Sequence, residues 1–136
     1  MAVKSGTTGV VKLSTTDGSE TAVAHVRSFS FDETADTIET TAMHASATHR
    51  TFVAGLSTST LSLEVYWDTD DAPQLEVDVK ETLFWEIYPH GTGTGEKYYT
   101  GSGIVTGKTI SAAFDGMVEA SFSVQNITAV TEATVQ

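Results

Sequence analysis

Hydrophobic and polar positions alternate most regularly at residues 60–67. Leu61, Leu63, Val65 and Trp67 fall on one side of an extended chain; Thr60, Ser62, Glu64 and Tyr66 fall on the other. Successive strand side chains point to opposite faces, so this period of two predicts a strand with one dry and one wet face. The rhythm returns near the end, where Val118, Ala120, Phe122 and Val124 alternate with Met117, Glu119, Ser121, Ser123 and Gln125. Residues 23–31 place Val23, His25, Arg27, Phe29 and Phe31 opposite Ala24, Val26, Ser28 and Ser30, with apolar groups on both sides. That strand is expected to be covered on both faces. Weaker strands are predicted at 3–14, at 36–43 after a connection at 32–35, at 84–89 and at 98–114.

One segment departs from the period of two. Asp71 and Gln74 have capping-box spacing, Pro73 sits in a first turn, and Glu76 suits the positive end of a helix dipole. Leu75, Val79 and Leu83 recur at helical spacing, which predicts a short helix over about 71–82 with its stripe against the sheet. Asp17-Gly18 and Asp115-Gly116 mark reversals, and residues 90–97 form a glycine-rich connection. The polar segment at about 44–54 is too long for a tight hairpin and predicts a projecting loop. The expected fold is mainly β: an antiparallel β-sandwich or partly closed barrel with one packed helix. It forms a single domain over residues 1–136, loosely ordered at 1–3 and 129–136.

Composition fits this picture. Thr is the most frequent residue, which favours pleated, half-buried surfaces. The formal charge of −11, from 18 acidic and 7 basic residues, removes the lysines and arginines by which nucleic-acid binders displace phosphate counterions. It disfavours anionic membranes for the same reason. No cysteine is present, so disulfides and thiolate chemistry are excluded. The opening MAVKSGTTG lacks the apolar run of a secretory signal, and a cytoplasmic origin is expected.

Candidate chemistry is thin. SGIVTGKT at 102–109 is one residue short of a P-loop, with Ser102 where the first glycine should stand, and a hairpin turn follows where a helix is required. Gly101, Gly103 and Gly107 are read instead as bulges or bends. Asp68, Asp70 and Asp71 cluster as in a calcium loop, but Ala72, Pro73 and Val79 occupy the positions that should complete it. A helix cap explains these aspartates more simply. His44 and His49 have no zinc-like spacing, and no acid, base and nucleophile set stands nearby. The expected site therefore contains no catalytic residue, metal or cofactor.

The order of parts carries more information than any motif. SFSFDETAD leads into TIETTAM, a polar loop closes on Gly55-Leu56, the strand LSTSTLSLEVYWD follows, and DTDDAPQLEVDVKETL comes after it. In this the chain resembles the major tail proteins, the tail-tube subunits of long-tailed bacteriophages and related tail-like particles, over residues 23–128. The resemblance implies hexameric rings stacked into a tube, with strands of every subunit joined in one barrel around a channel and the helix outside. It implies a virion component assembled in the bacterial cytoplasm. Its partners would be copies of itself and the tape measure, tail terminator and distal tail proteins, and DNA would pass through without specific binding. Glu39, Glu64 and Glu119, on polar strand faces, are the candidate channel-wall residues. His44, His49, Arg50, Phe52 and Val53 are the candidate contacts to a neighbouring subunit or ring. The rival reading is a monomeric binding module, Ig-like or carbohydrate-binding, displaying Trp67, Trp85, Tyr88, Tyr98 or Tyr99.

Overall fold

A computed structural model describes residues 6–42 and 48–136. After a 3-10 turn (Gly6–Thr8) the chain forms β1 (Val10–Ser14), β2 (Thr21–Ala22), β3 (Val26–Glu39), β4 (Phe52–Tyr66), α1 (Ala72–Leu75), β5 (Thr82–Tyr88), β6 (Lys97–Ser111), β7 (Glu119–Asn126) and β8 (Thr131–Thr134). All pairings are antiparallel in one sheet of order β2-β1-β5-β6-β7-β4-β3, with β8 also paired to β6. The sheet curls on itself without closing. The Phe31 ring on edge strand β3 is centred 5.9 Å from that of Trp85 and 6.1 Å from that of Tyr99, yet among the described strands β3 is laddered only to β4.

The core follows the alternation. Leu61, Leu63 and Val65 of β4 and Ala120, Phe122 and Val124 of β7 are buried with Val105, Leu83, Trp85, Ile87, Val11 and Leu13. Trp67, expected on that buried face, is half-buried beyond the end of β4, with Lys108 Nζ over its ring. Polar groups inside are paired in series: Trp85 Nε1 donates to Asn126 Oδ1 at 2.8 Å, and Asn126 Nδ2 donates to Ser59 Oγ at 2.9 Å.

Four expectations are corrected. The strands expected at 23–31 and 36–43 are one strand, β3, because residues 32–35 continue the pairing with β4. The break falls earlier, at His25, whose φ is 59°. A register shift between Val26 and Ser28 then turns Arg27 away from the face of Phe29 and Phe31, on which a strict alternation would place it. Residues 131–134 form β8 instead of a loose end.

The fourth correction is the helix, which is a single turn. Val77 is β-branched and Asp78 competes for local hydrogen bonds, so propagation is weak. Val77 is buried, while Leu75 and Val79 stay about half exposed. At Lys80 the chain enters a left-handed turn, φ 79°, and joins β6: Lys80 N–H donates to Val105 O, and Val105 N–H donates to Glu81 O. The capping pair also acts differently. Asp71 makes no side-chain cap; its Oδ2 accepts from Ala24 N–H at 3.0 Å. Gln74, fully buried, donates from Nε2 to Ala24 O and Tyr66 O and accepts at Oε1 from Asp68 N–H. It ties the ends of three segments together.

The β6 glycines divide. Gly107 sits at a register shift opposite β7, as expected of a bulge. Gly103 lies in regular pairing, but a Cβ there would come within 2.6 Å of Gln125 O, so its role is close approach of two backbones. The P-loop-like segment is thus the middle of a strand.

Candidate functional site

The register of β3, β4, β7 and β6 assembles one wide polar face. Ser28, Glu64, Ser121 and Thr109 form a row across the four strands; Ser30, Ser62, Ser123 and Gly107 form the next; Asp32, Thr60, Gln125 and Ile104 form a third. These are the positions that alternate with the core, so core burial fixes which side chains the face displays. Ser28 Oγ donates to Glu64 Oε2 at 3.0 Å. At one end of the rows Arg27 Nη1 lies 3.2 Å from Glu119 Oε1, with its guanidinium over the Tyr66 ring. Arg27, Glu64, Thr109, Ser111, Glu119 and Ser121 line a shallow cleft there.

Glu64 and Glu119 are thereby brought together. Glu39 is not: it is an odd-numbered residue of β3, opposite Phe52, on the other face of the ribbon from Ser28, Ser30 and Asp32. Its Oε1 lies 3.8 Å from Arg50 Nε. Asp32 and Arg27 belong to the polar face although the sequence reading did not select them. For Asp32 the signal was present, since Ser28, Ser30, Asp32 and Thr34 keep the period of two; Arg27 depends on the register shift, which leaves no such trace.

The second part of the site is the β3–β4 ribbon where it leaves the sheet. Pairing of β4 with β7 ends at Thr60 and Gln125; Ser59 still takes side-chain bonds from Gln125 and Asn126, and among the described residues 52–58 of β4 pair as a strand with β3 alone. Phe52, Val53 and Ala54 are the start of β4 and not part of the loop. A register shift between Ala35 and Thr37 sets Gly55 against Asp36 and Ile38, where a Cβ would lie 3.3 Å from Asp36 O. Ile38, Phe52, Val53 and Leu56 are all at least half exposed, with Ile38 and Val53 on one face and Phe52 on the other. Thr40 N–H donates to Thr51 O, and Thr51 N–H donates to Thr41 Oγ1, at the base of the loop. His49 and Arg50 are exposed; His44 lies outside the described residues.

The aromatics of the rival reading do not form a displayed platform. Trp85 and Tyr88 are buried, and Tyr88 stacks on Tyr98 with centroids 4.8 Å apart. Burial, reinforced by donation of its hydroxyl to Glu86 Oε1, pushes the Tyr88 phenol far above its ordinary value. Burial, with Glu132 second, raises Tyr99. The unfolded chain releases these protons near the ordinary 10.0 while the folded chain retains them. The contribution of these two phenols to stability should therefore be constant below that pH and fall as pH rises above it. Urea titrations at stepped alkaline pH check this, and Tyr88→Phe with Tyr99→Phe should flatten the fall. The aspartates near α1 are occupied by local contacts: Asp68 Oδ1 accepts from Asp70 N–H, and its Oδ2 lies 3.3 Å from His25 Nε2.

The same fold is found in solved structures of tails, tail tubes and contractile injection systems. A chain of the tail of an empty gene transfer agent particle, refined with helical and C6 symmetry, superposes with a TM-score of 0.77 at 15% identity, covering 97% of this chain and 100% of the other. The SPP1 tail tube gives 0.76 at 14% identity over 96% of this chain and 78% of its own. The sheath–tube complex of an extracellular contractile injection system in its extended state gives 0.60 at 14%, covering 93% and 88%. No family model matches the sequence, and no curated protein matches it.

Proposed function

We propose that this chain is a structural subunit of a tail tube and not an enzyme. Identical copies form hexameric rings, and the rings stack into a tube that lines the path of DNA during genome delivery. The observation that carries this reading is the ribbon β6-β7-β4-β3, polar on one face and open at both edges. β5 leaves β6 at Ile104, so among the described residues no strand pairs with 106–111 of β6 on that side, and none pairs with β3 beyond β4. The four strands alternate in direction, so β3 of one copy fits antiparallel beside β6 of the next. Exposed long edges are an aggregation hazard in a monomer, and ring closure removes them. The C6 symmetry of the gene transfer agent tail supports six copies.

In such a ring the Ser/Thr rows face the bore and supply hydration without cations. Asp32, Glu64 and Glu119 repel phosphates over roughly the 8–10 Å that physiological screening permits, and Glu119 neutralises Arg27. Glu39 belongs to the arm and not to this wall. The arm, with His44, His49, Arg50, Phe52 and Val53, reaches a neighbouring copy. Tape measure, terminator and distal tail proteins would meet the tube inside and at its ends. The site of action is the virion tail, after assembly in the host cytoplasm.

Negative-stain microscopy of the purified protein at high concentration tests the reading. Six-fold rings or hollow tubes are expected. A protein that sediments as a monomer at every concentration and salt would overturn it.

A further inference from the structure

The β6–β7 turn carries exposed apolar groups that neither the core nor the polar face explains. Phe114 is fully exposed, Met117 is 66% exposed, and Ile110 beside them is about half exposed. A hairpin tip that only reverses the chain needs no such side chains, and Asp115-Gly116 already supplies the turn. Its position is informative. β7 pairs with β4 from Gln125 opposite Thr60 to Glu119 opposite Tyr66. The arm leaves the sheet beyond the first of these pairs, and the β6–β7 turn leaves it beyond the last. One ribbon thus ends in two apolar projections that point in opposite directions.

Their tips also differ in charge. Residues 112–118 carry Asp115 and no cation; residues 40–51 carry Arg50 and no carboxylate. The Arg50 side chain is 76% exposed, and its contact to Glu39 is long, 3.8 Å. The arm is a two-stranded ribbon with apolar groups on both faces, a construction that is marginal in water until something covers it.

We infer that the two projections are the two halves of one head-to-tail contact between copies of this chain. The β6–β7 turn of one copy seats Phe114 and Met117 against Phe52 on the arm of a copy in the next ring, with Asp115 opposite Arg50. A contact made of two different surfaces at opposite ends repeats without closing, which is the geometry of a filament. The inference rests on the tail-tube reading and adds which surface receives the arm.

The absence of cysteine from the chain allows a direct test. The variant F52C/F114C is assembled under reducing conditions, oxidised, and run on a non-reducing denaturing gel. A ladder continuing past six copies is expected, because links between rings never close. A ladder stopping at six would assign the contact to neighbours within a ring, and assembled tubes that give no cross-link would exclude it; either result overturns the inference while leaving the tail-tube reading intact. Wild-type protein that forms neither rings nor tubes overturns both. A second variant, Phe114→Ser, should keep the wild-type thermal midpoint because the side chain is fully exposed. It should give single rings without tubes, and tubes of normal length would count against the contact.

Discussion

Gln74→Leu is expected to lower the stability of the folded chain by roughly 3–5 kcal/mol, since it strips partners from three backbone groups at about 1–3 kcal/mol each. Leucine has similar bulk, so the cavity contribution is small and the loss is almost entirely polar. Ala24 O, Tyr66 O and Asp68 N–H would be left in a region where Gln74 itself is fully buried. Ala24 lies just before β3, while Tyr66 and Asp68 lie at the end of β4, so these groups hold the start of the β3–β4 ribbon to the chain that crosses to β5. Urea unfolding followed by Trp fluorescence would read the change as a shifted midpoint at constant slope. Leu75→Ala and Val79→Ala form the contrast. Helical periodicity points both at the sheet, but they are about half exposed and should each cost under about 1 kcal/mol. A Gln74→Leu protein within 1 kcal/mol of wild type would mean the three backbone groups find other partners.

What the sequence reveals depends on whether one face of an element is buried. β4 and β7 are legible because Leu61, Leu63, Val65, Phe122 and Val124 share one dry side, which fixes the register of everything opposite them. Glu64 and Glu119 are placed on the polar face by the same logic. The signal fades where the β3–β4 ribbon leaves the sheet and both faces meet water. Residues 32–35 then look like a connection, the phase of β3 is lost, and Glu39 cannot be assigned to the right face from a separate strand at 36–43. β8 is invisible for a related reason: TEAT has little apolar surface, and its placement comes from backbone pairing to β6. The helix shows the converse error. Leu75, Val79 and Leu83 have helical spacing by coincidence, because Leu83 is already a strand residue and Val77 is the buried one.

With the polar face on the bore as proposed, reversing Glu64 and Glu119 to lysine should give a tube that holds DNA. Both carboxylates lie beside Arg27, Glu119 at 3.2 Å and Glu64 in the same cleft. The double variant therefore converts a net acidic cluster into an all-cationic one in every subunit. The pairs it breaks are exposed and contribute little to folding, about 0–1 kcal/mol each, so assembly should survive. Six such clusters per ring would neutralise several phosphates at once, and each neutralised phosphate steepens the fall of log affinity with log salt by roughly 0.7–0.9. Assembled variant tubes should retain labelled DNA at about 50 mM salt and release it by about 200 mM, a loss of roughly 10³-fold or more in affinity for six or more contacts. Wild-type tubes should retain none at either salt, and particles carrying the variant should deliver their genomes more slowly. Glu119→Gln alone exposes Arg27 and should give a weaker version of the same effect. Glu39→Lys, whose side chain faces away from these rows, should give none. Equal DNA retention by wild type and the double variant would show that the Ser/Thr rows do not face the bore, because a ring of uncompensated cations on the wall has no means of ignoring a polyanion threaded through it.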